Sequence, residues 1–469
     1  MAVDIRQAMT DPALFGDTFG GDSFTAWRAL LSGFYGLELD ATELDMFKTL
    51  TGRQTAPQGP HDELWLAVGR RGGKSYAAGF LAVFLAAFHD YRDSLAPGEI
   101  ATVMVIAADR KQARAVMRYT SGLMNSNPML RRMILRENSE QIELNNRTVI
   151  EITTASHRSV RGYTLAAVIA DEIAFWHSEG ANPDVEIIAA LRPALATLGG
   201  RLIGISSPYA RRGVLWDTYR RHYGQDSDRV LVAQAPSRTM NPLLPQRVVD
   251  DAMKDDAARA SAEYLAQFRS DIETFLSLEL VAMAQRQEPM EIPRQRGVKY
   301  WAFVDPSGGG ADEFTIAIGH REKGEAIILD AVRGRKGNPA AITADFCALL
   351  KTYGITKVYG DRYGAEWVRT EFRRHTVAYL DSPGTRSELY LSMGQALNAG
   401  RVELPPCPMI ERQLCALERR TSRGGRDLID HPPGGHDDRA NAAAGLVALL
   451  GSDKRKDITS RTTTVKGLY

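Results

Sequence analysis

Gly72-Gly73-Lys74-Ser75 is the first run in the chain whose residue types and order can do chemistry. It lies between an apolar run, Leu64–Val68, and a helix-forming run that continues to Phe88. A glycine-rich turn in that place offers backbone N–H groups to phosphate, and the helix behind it adds the positive end of its dipole. Lys74 is then expected to reach the β- and γ-phosphates of ATP, and Ser75 to ligand Mg²⁺. The loop is Gly69, Arg70, Arg71, Gly72 and Gly73. It departs from the strict pattern, because Val68 stands where the leading glycine belongs and Gly69 comes one place late. A tight turn competes with this reading until a partner motif is found. Leu165–Ala170 supplies it, as an apolar strand-like run ending in Asp171-Glu172. Asp171 at a strand tip can hold the Mg²⁺ shell, and Glu172 can polarise an attacking water. A third run, Arg201–Ile205, ends in Ser206-Ser207-Pro208, whose hydroxyls are expected to sense the γ-phosphate and couple it to movement. Charge on a transferring phosphoryl group is commonly met by arginine. Arg161 is the expected finger acting on a neighbouring subunit and Arg71 a contact within its own. Arg70 and Arg158 fit a solvated or DNA-facing place equally well. Gln54 is offered as a reader of the adenine edge, with a plain turn as the equal alternative.

The second half of the chain has no such loop but carries separated acids. Tyr300–Val304 runs into Asp305, Lys357–Gly360 runs into Asp361, and Gly434-Gly435-His436-Asp437-Asp438 opens a helical run from Arg439. Two strand-end aspartates and an acidic pair at a late helix start follow the layout of an RNase H-like fold. There, converging carboxylates hold two Mg²⁺ or Mn²⁺ ions for phosphodiester cleavage. An oxygen-only donor set suits hard cations and argues against zinc. Asp305, Asp361, Asp437 and Asp438 are the expected ligands, with Asp438 preferred over Asp437 as the main one. The competing reading makes the pair a helix cap. His436 either tunes the metal site or closes the Gly-Gly turn. Asp312, Glu313 and Asp330 are weaker candidates for a fourth ligand. Arg420, Arg423 and Arg426, in and beside the run Thr421–Arg426, suit contact with a duplex backbone.

These residues need rigid elements behind them. Apolar runs at Leu64–Val68, Ala101–Ala107, Thr148–Thr153, Ala166–Ala170 and Arg201–Ile205 alternate with helical patterns, which predicts a largely parallel sheet. Thr315–His320 and Ala326–Val332 are further strands of the second half, and Ala340–Tyr353 and Ala365–Phe372 further helices. The reading is an α/β chain with five parts. Residues 1–50 form an N-terminal helical extension, 51–235 a P-loop (ASCE-type) ATPase core and 236–298 a helical lid or linker. Residues 299–451 form an RNase H-like nuclease and 452–469 a flexible tail. A length of 469 residues favours two domains over one. Cys347, Cys407 and Cys415 form no CxxC pair, so neither a disulfide framework nor a zinc site is expected. The first residues lack a basic segment leading into an apolar run, so no signal peptide is expected. No apolar run is long enough to span a bilayer. A net charge of +1 means that nucleic acid would meet local basic patches rather than a positive surface overall.

The order of these features resembles the large-subunit family of tailed-phage DNA-packaging terminases. The resemblance is carried by VGRRGGKS at 68–75, VRG at 160–162, VIADE at 168–172 and GISSP at 204–208. It continues with PSRTMNP at 236–242, YLAQF at 264–268, FVDPSGGG at 303–310, VYGD at 358–361 and GGHDDRANA at 434–442. It implies ATP-driven translocation of double-stranded viral DNA into a procapsid, and cutting of concatemeric DNA by a metal-dependent endonuclease. It also implies a homo-oligomeric ring, a pentamer at the portal protein, with a small terminase subunit as partner; the isolated chain can be a monomer. The place would be the host bacterial cytoplasm. The alternative is a non-packaging, helicase-like DNA translocase with an RNase H-like accessory domain. A nucleotide-holding structural protein and an integrase-like strand transferase are further rivals. Glu172 argues against the first, and an acidic set ending in an Asp pair argues against the second.

Overall fold

The computed structural model describes residues 3–155, 162–176, 183–227, 229–307, 312–322, 325–361, 366–421, 427–432 and 435–461. Its first sheet is built from apolar runs that do not alternate. β1 (Glu63–Val68) and β2 (Ala101–Ala107) are buried almost throughout, as strands must be when helices cover both faces of a parallel sheet. β3 (Ile134–Glu137) and β4 (Gln141–Leu144) add an antiparallel edge beside β5 (Thr148–Thr154). β6 (Thr164–Asp171), β7 (Arg201–Ser206) and β8 (Val230–Ala235) complete the order β3-β4-β5-β2-β6-β7-β1-β8. The strands from β5 to β8 in that order are mutually parallel, so their C-terminal ends open on one edge. β7 stands between β1 and β6, which is the ASCE-type order. It sets the glycine loop and the acidic strand tip one strand apart, with Ser206 between them.

These elements belong to a compact unit, Met1–Asp271. Helices Thr25–Phe34 and Ala41–Thr51 form where helical patterns are expected. They are integral to the unit: Phe15, Phe19, Trp27 and Phe34 share one core with the helix Lys74–Ala87. Phe15 meets Phe80 edge-to-face at 5.6 Å.

The second compact unit is Ile272–Tyr469. The stretch 236–298, expected as lid or linker, is therefore divided between the units. β9 (Ile272–Thr274) belongs to a small sheet described below. β10 (Tyr300–Asp305), β11 (Phe314–Arg321) and β12 (Ile327–Arg335) pair antiparallel in sequence. β13 (Lys357–Gly360) returns parallel to β10, and β14 (Ala378–Asp381) parallel to β13. β15 (Val402–Glu403) closes the other edge, giving β14-β13-β10-β11-β12-β15. Three antiparallel strands with two parallel strands beside the first make an RNase H-like sheet. β16 (Glu418–Thr421) and β17 (Asp427–Asp430) pair with β9 in the small sheet. The helix Asp438–Arg461 packs on the main sheet and runs through residues 452–461, where a flexible tail is expected. No helix among the described residues is long and apolar enough to cross a membrane.

Candidate active sites

The loop after β1 turns on Arg71 (φ 65°) and Gly73 (φ 88°) and leads into the helix Lys74–Ala87. Gly69 is a close-approach position, since a Cβ there would lie 2.3 Å from Ser237 Oγ. Lys74 is 6% exposed. Its ammonium donates to Ser207 Oγ at 2.7 Å and to the carbonyls of Val68 and Gly69 at 3.4 Å. It also lies 3.4 Å from Glu172 Oε1. Glu172, at φ 50°, follows β6 in a left-handed conformation. Its Oε2 accepts from the Ser206 hydroxyl and the Ser207 N–H, both at 3.2 Å. Ser75 Oγ stands 3.5 Å from Asp171 Oδ2. Asp171 is fully buried, and its Oδ1 has no hydrogen-bond partner among the described residues. Burial, and next the charge of Glu172, push the Asp171 carboxyl up to about 7 against the pull of Lys74. A buried carboxylate with one oxygen unsatisfied, beside a serine hydroxyl, fits a hard divalent cation.

The structure thus brings Lys74, Ser75, Asp171, Glu172, Ser206 and Ser207 together. Arg70 is exposed and paired with Glu263 at 3.1 Å, and Arg71 is exposed on the loop surface. Arg158 and Arg161 lie outside the described residues. Gln54 lies on an exposed turn before β1. Its neighbour Arg53 donates to the carbonyls of Ser227 and Val230, so the segment sits at the N-terminal ends of β1 and β8. The full length of β1, roughly 17 Å, separates that end from the phosphate loop. Trp27, Ser237 and Asn241 also touch the loop. Ser237 and Asn241 lie in the run PSRTMNP, which carries part of the resemblance without a role for either residue, and Trp27 is marked by no motif.

In the second unit, β10 ends in Asp305, and the pairing Val304↔Gly360 places Asp361 beside it. Asp305 is 8% exposed, and Asn441 Nδ2 donates to its Oδ2 at 2.9 Å. Burial pushes Asp305 up to about 7; Asp361 and Asp437 add to that push, while the Asn441 bond and Arg386 oppose it. Asp437 is 3% exposed. It accepts from the Tyr390 hydroxyl at 2.5 Å and faces Arg386 at 3.6 Å. Asp305, Asp361 and Asp437 therefore share one field, balanced by the Arg386 guanidinium.

Asp437, rather than the preferred Asp438, bears on Asp305 in this geometry. Successive residues at a helix start point about 100° apart. Asp438 Oδ2 accepts from the Glu313 N–H at 3.0 Å, and its carbonyl from Thr315 at 2.7 Å, which ties it to β11. Among the described residues, Asp438 forms with Asp312 and His436 a trio whose ligand atoms all lie within 4.8 Å. His436 and Asp312 in that trio are an exposed hydrogen-bonded pair at 2.8 Å. Glu313 is held by Arg439 at 2.8 Å, and Asp330 is buried against His320 at 2.7 Å. Neither Glu313 nor Asp330 joins the Asp305 group. Arg420 lies on β16, paired at 2.9 Å with the buried Glu418, rather than on a loop. Arg423, Arg426 and Gly308–Gly310 lie outside the described residues. Arg386, Tyr390 and Asn441 were missed as site residues. Only Asn441, one helical turn after Asp437, had a sequence signal.

No protein-family model and no curated protein sequence matches the chain. Among solved structures, it is similar to the large terminase of bacteriophage HK97 at 16% identity and a TM-score of 0.39, covering 90% of this chain and 99% of that one. It is similar to the large terminase of a thermophilic bacteriophage at 14% identity and a TM-score of 0.38, covering 86% and 97%. The large terminase nuclease of another thermophilic phage, G20c, aligns at 17% identity and a TM-score of 0.32, over 37% of this chain and 97% of its own.

Proposed function

We propose that this chain is the large subunit of a phage DNA-packaging terminase, an ATPase and a metal-dependent endonuclease on one polypeptide. The observation that carries the reading is the pairing of two sites on one chain. One unit converges Lys74, Ser75, Asp171 and Glu172 at parallel strand ends; the other gathers Asp305, Asp361 and Asp437 on an RNase H-like sheet.

In the motor site, Ser75 and Asp171 would hold Mg²⁺, which screens phosphate charge when bound. Lys74 holds the β- and γ-phosphates. In moving to them it gives up Ser207 and Glu172, which frees the Glu172 carboxylate to orient water and accept its proton. Ser206 and Ser207 touch Glu172 directly, which supports a role for them in reporting phosphate state to β7. Arg161 from a neighbouring subunit and Arg71 from the same one would meet the transition-state charge.

In the nuclease site, Asp305, Asp361 and Asp437 would hold two Mg²⁺ or Mn²⁺ ions, which generate hydroxide and stabilise the leaving oxygen when bound. Asn441 and Tyr390 fix the orientations of Asp305 and Asp437. Double-stranded DNA is moved by the ATP-driven motor and cut by the nuclease. A portal protein, a small terminase subunit and a pentameric ring in the host cytoplasm complete the assembly.

Glu172→Gln should lower ATP hydrolysis by about 10²- to 10⁴-fold and leave Mn²⁺-dependent plasmid cutting unchanged, while Asp305→Asn should do the reverse. Loss of both activities in either variant would sink the two-site reading.

A further inference from the structure

The carbonyl oxygens of the phosphate loop are the wrong charge for its ligand. A loop that cradles triphosphate must turn its N–H groups inward and its carbonyls away. Three consecutive carbonyls of this loop are each held by a side chain from outside it. Ser237 Oγ donates to Arg70 O at 2.6 Å, Asn241 Nδ2 to Arg71 O at 2.9 Å, and Trp27 Nε1 to Gly72 O at 3.0 Å. The three come from two separate places, the helix Thr25–Phe34 and the segment that follows β8. Trp27 is 1% exposed and Ser237 fully buried. Beyond these carbonyls, the N–H groups of Gly73, Lys74 and Ser75 donate to no backbone carbonyl among the described residues. The N–H groups of Gly69, Arg70 and Gly72 are spent on the carbonyls of Ala235, Glu263 and Gly69, so the loop is fixed from behind while the donors at Gly73, Lys74 and Ser75 stay unspent.

We infer that Trp27, Ser237 and Asn241 are positioning residues for triphosphate binding, which rests on the ATPase reading above. Each holds one carbonyl off the phosphate face, so that the loop is already shaped before nucleotide arrives. Pre-shaping removes an ordering cost from binding, and it acts on ground state and transition state alike. The signature of such a role is a change in KM with kcat preserved, the opposite of what removing Glu172 produces. It also assigns a use to the N-terminal helices, which contribute no motif of their own.

The test uses the full chain with ATPγS titration calorimetry, steady-state ATP hydrolysis and thermal unfolding without nucleotide. Trp27→Phe, Ser237→Ala and Asn241→Ala each delete one donor. Each should weaken ATPγS binding and raise KM for ATP by about two- to tenfold, the span of one net hydrogen bond. Each should leave kcat within about twofold. The deleted bond exists without nucleotide, so each should lower the nucleotide-free Tm only by the roughly 2–4 °C that one net hydrogen bond contributes. Ser237→Thr keeps the hydroxyl and should bind like the parent chain. Unchanged affinity in all three deletions, with Lys74→Ala abolishing binding, would overturn the inference and leave the ATPase reading intact. A larger fall in nucleotide-free Tm that tracks the affinity loss, without rescue by Ser237→Thr, would reduce the three to structural contacts and also overturn it. A parent chain that binds no ATPγS would remove the ATPase reading and this inference with it.

Discussion

At the scale of single residues, the proposed nuclease site turns on which of two adjacent aspartates bears on Asp305. Asp437 is buried beside Arg386 and Tyr390, and it bears on the charge state of Asp305. Asp438 is spent on the Glu313 N–H and stands with Asp312 and His436. A lost ligand removes a metal, whereas a lost outer partner costs about 10- to 100-fold in affinity or activity. Asp437→Asn should therefore lower Mn²⁺-dependent cutting by more than about 100-fold, and Asp438→Asn by about 10- to 100-fold. Cutting rates on supercoiled plasmid, with ATP hydrolysis as the control, decide the order; a reversed order restores Asp438 as the ligand. Adjacent identical residues carry no spacing information that separates them, so this choice needed the structure. The same holds for Tyr390 and Arg386, which come from a helix with no motif. By contrast Lys74, Ser75, Asp171 and Glu172 were readable, because a strand, a glycine turn and a second strand tip fix their meeting place.

At the scale of elements, the site depends on how closely the helix Asp438–Arg461 lies on β10. Gly445 makes that approach possible, since a Cβ there would sit 2.5 Å from three ring carbons of Phe303. Gly445→Ala must push the helix off the strand, and overpacking of this kind costs about 1–3 kcal/mol. The shift carries Asn441 and Asp437 away from Asp305, so cutting should fall along with stability while ATP hydrolysis holds. Phe303→Leu in the same chain should recover part of both losses. Denaturant melts and plasmid cutting of the single and double variants measure the coupling, and strict additivity would count against the contact. Elements of this sort were visible in the sequence where burial is continuous, as in β1, β2, β6 and β10. They were invisible where pairing, not apolar pattern, makes the strand. β3 and β16 both carry charged residues, and β15 spans only Val402–Glu403. The place of Gln54 was not legible for a related reason: nearness to β1 in sequence does not say which end of the strand a turn occupies.

At the scale of the whole molecule, the two proposed activities fall in separate compact units, each with its own cores. A ligand that binds only the native form of one unit stabilises that unit by about 2.7 kcal/mol at a hundredfold excess over Kd. For units of this size that is about 5–10 °C in Tm. Scanning calorimetry of the full chain should then respond selectively. ATPγS with Mg²⁺ should raise one transition, because Lys74, Ser75 and Asp171 belong to Met1–Asp271. Mn²⁺ without nucleotide should raise the other, because Asp305, Asp361 and Asp437 belong to Ile272–Tyr469. Lys74→Ala should erase the first shift and keep the second, and Asp305→Asn should do the opposite. Asp305→Asn should also raise the metal-free Tm of its own unit near pH 8. The carboxyl it replaces is pushed by burial up to about 7, so its charged form opposes folding there, and the penalty sets in as pH rises from the usual carboxylate range through 7. A single transition moved equally by both ligands, in the parent chain and in both variants, would mean that the sites do not report on separate units.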